Sequence, residues 1–72
     1  MNTYIVIECP AGEDSYINGV FATWDLARSR AQELIDDGGK GRLNYDDAVQ
    51  AELSYDFADG GWIAIETWPV TT

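Results

Sequence analysis

Seventy-two residues with 46% hydrophobic and 12% aromatic content are enough for one domain with one small core. Thirteen acids against four bases give a formal net charge of −9, a field that repels nucleic acid and anionic lipid and attracts basic surfaces. With no histidine and only Cys9, the Ser-His and Cys-His nucleophile pairs and an internal disulfide are excluded, and a zinc site would have to be built from carboxylates alone.

The first predicted strand runs from Tyr4 to Cys9, with Ile5, Ile7 and Cys9 on one side and Tyr4, Val6 and Glu8 on the other. No basic leader precedes it and the apolar run is far too short to span a bilayer, so the chain reads as cytoplasmic, with Cys9 a small hydrophobe in a reducing compartment. Pro10 to Asp14 form a loop, and Ser15 to Ala22 form a second strand in which Gly19 marks a bulge or a close backbone approach. These two strands are expected to pair as a hairpin.

Thr23 caps the helix that follows, and Asp25 sits in its first turn, where the helix dipole favours an anion. Trp24, Ala27, Ala31, Leu34 and Ile35 form an apolar stripe at helical spacing, and Gly38-Gly39 ends the helix. Gly38 to Asp47 reads as a polar connection. Its Asn44-Tyr45-Asp46-Asp47 segment suits either the cap of a short helix or, preferably, a turn into the next strand.

From Val49 to Phe57 apolar and polar residues alternate, the period of a third strand. Ala58-Asp59-Gly60-Gly61 supplies a turn, and Trp62 to Trp68 form a β-rich fourth strand stopped by Pro69. The predicted order is thus β-β-α-β-β: an α+β domain, residues 1–72, with a four-stranded antiparallel sheet and one helix packed on one face.

Two registers are open to the last hairpin. A two-residue turn at Asp59-Gly60 pairs Phe57 with Trp62. A three-residue turn with Gly60 left-handed sets Tyr55 opposite Ile63 and Leu53 opposite Ile65. The second is preferred, because it gathers the apolar rows against the helix and sends Trp62, Trp68, Glu52, Asp56 and Glu66 to the open face. Glu52 then stands beside Glu66, a like-charge pair that destabilises by up to ~1 kcal/mol unless a basic partner relieves it.

No cofactor or catalytic motif is present. Counted from Asp37, an EF-hand loop lacks its oxygen ligands at the third and fifth positions and has Arg42 in place of the central glycine. Gly38-Gly39-Lys40-Gly41 lacks the spacing and the hydroxyl residue of a phosphate loop. Glu13-Asp14, Asp36-Asp37 and Asp46-Asp47 are paired carboxylates without the sugar-sized cleft that glycoside hydrolysis needs. The distribution of charge is more telling. Residues 43–72 carry six acids and no base. Solubility alone accounts for such a segment, and so does a row of carboxylates standing in for phosphates before a groove of Lys and Arg.

The segments Tyr4-Ile5-Val6-Ile7-Glu8 and Gly19-Val20-Phe21-Ala22-Thr23, with Ala27 and Ala31 beyond them, resemble small open reading frames of bacteriophages. In size and acidity the whole chain resembles phage anti-CRISPR and DNA-mimic inhibitors, which share a type rather than a motif. That resemblance implies a non-enzymatic protein in the cytoplasm of an infected bacterium, without cofactor or metal. It implies binding to a host protein or ribonucleoprotein with a basic surface, and no direct contact with nucleic acid or membrane. The partner-binding residues expected on this reading are Asp46, Asp47, Glu52, Asp56, Asp59 and Glu66, with Trp62 and Trp68 as anchors. The competing expectation is a structural module that forms a homodimer through its open sheet face.

Overall fold

The computed structural model describes residues 2–70. Five strands and one helix follow in the order β1 (Asn2–Cys9), β2 (Tyr16–Phe21), α1 (Trp24–Gly38), β3 (Gly41–Asp47), β4 (Glu52–Phe57) and β5 (Trp62–Pro69). All neighbours are antiparallel, in the spatial order β2-β1-β5-β4-β3, so the first and last strands of the chain lie side by side in the middle of the sheet.

The helix forms where its signals lie. Thr23 Oγ1 accepts a hydrogen bond from Leu26 N at 3.3 Å, which satisfies one of the free amides of the first turn. Ala27 and Ala31 are fully buried, and their small side chains let α1 lie close over β1, β2 and β5. The helix ends against β4: a side chain at Gly38 would meet the Phe57 ring at 2.4 Å, so only glycine fits there.

The four-strand expectation is corrected to five strands, although the α+β class and the single helix on one face hold. The additional strand, β3, lies within the stretch read as a polar connection. It stands at the sheet edge beyond the helix and is exposed along its whole length. Such a strand is held by its backbone ladder to β4 and needs no alternation of apolar residues. The expected strand start at Val49 is also corrected. Residues 48–51 form the β3–β4 turn, where Asp47 Oδ1 accepts from the amides of Val49 and Gln50 at 3.0 and 3.1 Å. Val49 is 90% exposed, and Ala51 takes a left-handed φ of 55°.

The last hairpin adopts the three-residue turn. Leu53 pairs with Ile65 and Tyr55 with Ile63; Phe57 N donates to Gly61 O at 2.8 Å, and Gly60 has φ 101°. One apolar face results, toward the helix. Val6, Leu53, Ile63 and Ile65 are buried there with Ala27 and Ala31, and Tyr4, Phe21, Trp24, Leu34, Ile35, Tyr55 and Phe57 pack around them. The first hairpin carries the irregularity expected at Gly19: Val6 pairs with Gly19 and Ile7 with Ile17, leaving Asn18 as the extra residue.

Candidate functional site

The sheet face turned away from α1 is the candidate site, and its composition follows from the registers. Across the middle of the sheet, Asp56, Trp62 and Cys9 stand in one row, and Ser54, Ala64, Ile7 and Ile17 in the next. Ile5 lies between Glu66 and Val20 in the row beyond. The face therefore has two halves. On β1 and β2 it is aliphatic, with Ile17 and Val20 exposed and Ile5 buried. On β3, β4 and β5 it is acidic and aromatic, with one base, Arg42, standing opposite Asp56 at the β3 edge.

A bulge on β3 decides which of its residues join the acidic half. Leu43 pairs with Tyr55 and Tyr45 with Ser54, leaving Asn44 unmatched. The inserted residue reverses the side-chain parity after it. Tyr45 and Asp47 thereby face the open side, while Asp46 turns toward the helix. Asn44 Nδ2 donates to Asp56 Oδ2 at 3.0 Å and to Ser54 Oγ at 3.2 Å, which holds the bulge on β4.

The eight residues expected to bind a partner therefore divide. Glu52, Asp56, Trp62, Glu66 and Trp68 share the open face, with Asp47 at its edge where it caps the β3–β4 turn. Asp46 is drawn off by Arg28, whose Nε lies 2.9 Å from its Oδ2 in an ion pair that ties α1 to β3. Asp59 is in the β4–β5 turn, where its Oδ1 accepts from Gly61 N at 2.9 Å.

An open cleft of about 410 Å³ lies on this face between the β3–β4 turn and the end of β5. Glu52 and Glu66 both line it. Glu52 is one step along the ladder from the Leu53–Ile65 pair, which sets its backbone beside that of Glu66 on the neighbouring strand, the two strands lying about 5 Å apart. Trp68 forms another wall. Its Nε1 donates to Glu66 Oε2 at 3.1 Å, fixing the indole next to the carboxylate, and 47% of the residue is exposed. Tyr45 and Gln50 complete the rim. Sequence reasoning named neither as a site residue: Tyr45 lay in the connection read without a strand, and Gln50, read as part of the polar row of the strand from Val49, lies instead in the β3–β4 turn.

A second polar cluster lies on the helix side of the β1–β2 edge. Tyr16 donates its hydroxyl proton to Glu8 Oε1, Asn18 Nδ2 donates to the same oxygen at 3.1 Å, and Arg30 Nε donates to Asn18 Oδ1 at 2.8 Å. The hydrogen bond to Glu8 is the main reason that the Tyr16 phenol titrates above its ordinary range, with desolvation adding to it. Every group in this cluster is matched by another, so it reads as a clasp between α1 and the first hairpin.

Among the described residues, no helix is long and apolar enough to cross a membrane, and no group of three or more His, Cys, Asp and Glu side chains is placed to hold a metal ion. In comparisons with known proteins, no family model, no curated protein and no solved structure matches the chain.

Proposed function

We propose that the chain is a stoichiometric inhibitor of the anti-CRISPR type, made by a phage and acting in the cytoplasm of the infected bacterium. On this reading it binds a basic nucleic-acid-binding surface of a host defence complex and occludes it. The single observation that carries the reading is the acidic and aromatic half of the open face, where Glu52 and Glu66 stand side by side next to an exposed Trp68. Two carboxylates on adjacent strands cost the free protein up to ~1 kcal/mol. A basic partner removes that cost, and exposed tryptophan is a frequent anchor of protein interfaces. Asp47, Asp56 and Trp62 extend the surface along the same face, while Asp59 lies in the β4–β5 turn, near the end of α1. Asp46 contributes to the field of the protein but spends its carboxylate on Arg28. The chain contacts neither nucleic acid nor membrane, and it performs no catalysis.

The test is capture. The immobilised protein, exposed to bacterial lysate at low salt, is expected to retain a DNA- or RNA-guided complex that a salt step releases for mass spectrometry. Retention of no such complex across several hosts would count against the proposal.

A second reading is favoured by a different observation. Ile17 and Val20 are 51% and 58% exposed and stand opposite the half-buried Ile7 and the buried Ile5 on the aliphatic half of the same face. This patch suits a self-associating module. Sedimentation separates the two, since an apolar dimer persists at high salt and an electrostatic complex dissociates.

A further inference from the structure

We infer that the cleft between Tyr45, Glu52, Glu66 and Trp68 takes the guanidinium group of an arginine side chain presented by a protein partner. This rests on the proposed binding of a basic surface and names the group that the surface inserts.

Charge and shape both point to this occupant. Two neighbouring carboxylates call for a cation, but two are too few for a hard metal ion, which needs about six oxygen ligands. The walls are aromatic, and a cation held against the face of Trp or Tyr gains from the ring quadrupole. Arginine suits this combination better than lysine. Its planar guanidinium stacks on rings and presents a fork of N–H donors to carboxylates, whereas an ammonium is a compact, strongly hydrated point charge. The acceptors are in place: Glu66 receives the Trp68 N–H on Oε2, which leaves Oε1 without a hydrogen bond among the described residues, and Glu52 makes no side-chain hydrogen bond among them. The volume, about 410 Å³, lies near the lower end of ligand sites and is more than the head of one side chain fills. A second copy of this chain is a poor occupant, because it brings a formal charge of −9 toward the same acidic cleft.

The experiment compares nona-arginine with nona-lysine, peptides of equal charge, by calorimetry on the full chain at low salt. Nona-arginine is expected to bind about tenfold more tightly, the factor for ~1.4 kcal/mol of stacking and fork geometry. Trp68→Leu is expected to erase the preference while leaving nona-lysine binding within about twofold, since it removes the ring and keeps both carboxylates. Equal affinities for the wild-type chain, or a preference that survives Trp68→Leu, would overturn the arginine assignment and leave the broader reading standing. Binding of neither peptide would overturn both. A second readout needs no variant: the indole N–H resonance of Trp68 is expected to shift saturably with nona-arginine while that of Trp24, on the helix, stays still. An unmoved Trp68 signal at saturation refutes the inference.

Discussion

Reversing Glu52 and Glu66 together to lysine is expected to abolish capture of the basic partner while leaving the fold intact. Both side chains lie on the open face, and neither is bound to a base of the protein itself among the described residues. Each reversal replaces an attraction to the partner with a repulsion. Close charge pairs across interfaces couple by roughly 1.5 kcal/mol or more, so two reversals should weaken binding by at least about 100-fold. The milder pair Glu52→Gln and Glu66→Gln separates binding from folding. Removing the like-charge contact is expected to raise stability by a few tenths of a kcal/mol up to ~1, while binding falls. Denaturant midpoints and affinities measured on the same preparations check both halves. Unchanged affinity at low salt for the lysine variant would show that these carboxylates lie outside the interface.

Leu53→Ala is expected to leave the chain largely unfolded. Leu53 is fully buried, pairs with Ile65 on one side and Asp46 on the other, and belongs to the cluster that joins β4, β5 and β1 to the helix. Truncating a buried leucine costs about 2–5 kcal/mol, the lost transfer energy plus that of the cavity left behind. A single core in a domain this small supplies about 3–5 kcal/mol in all. The two magnitudes overlap, and no disulfide is available to make up the difference, since Cys9 is the only cysteine. Far-UV circular dichroism and urea titration read the result. Val49→Ala serves as the control, because Val49 is 90% exposed in the β3–β4 turn and should change stability by less than about 0.5 kcal/mol. A Leu53→Ala protein within 1 kcal/mol of wild type would contradict the packing described.

Local chemistry determines how far the sequence could be read. The helix was legible because Thr23, the apolar stripe and Gly38-Gly39 signal its start, face and end independently. The register of the last hairpin was legible because only one turn brings Leu53 and Tyr55 opposite Ile65 and Ile63 on a single apolar face. That register by itself places Glu52, Asp56, Trp62, Glu66 and Trp68 on one face.

The strand β3 was not legible. It buries nothing, so burial left no pattern in its residues, and its seven positions read as a polar connection. Val49 and Ala51 misled in the opposite direction. Their spacing continues the parity of Leu53, yet the Asp47 carboxylate gathers their segment into a turn. Without β3, the Asn44 bulge could not be foreseen. It is this bulge that sends Tyr45 to the cleft and Asp46 to Arg28. Acidity along a sequence thus marked the region of the candidate site, while one inserted residue determined its membership.

The most direct test of the proposed inhibition is competition on a captured guided complex. DNA binding by that complex would be titrated with the wild-type chain and with the Glu52→Lys, Glu66→Lys variant. If the acidic half of the open face occupies the nucleic-acid groove, the wild-type chain displaces DNA, reaches its full effect at one chain per complex, and loses potency as salt rises. The variant then leaves DNA bound. A complex that holds the wild-type chain and DNA at the same time, with unchanged affinity for each, would contradict the proposal.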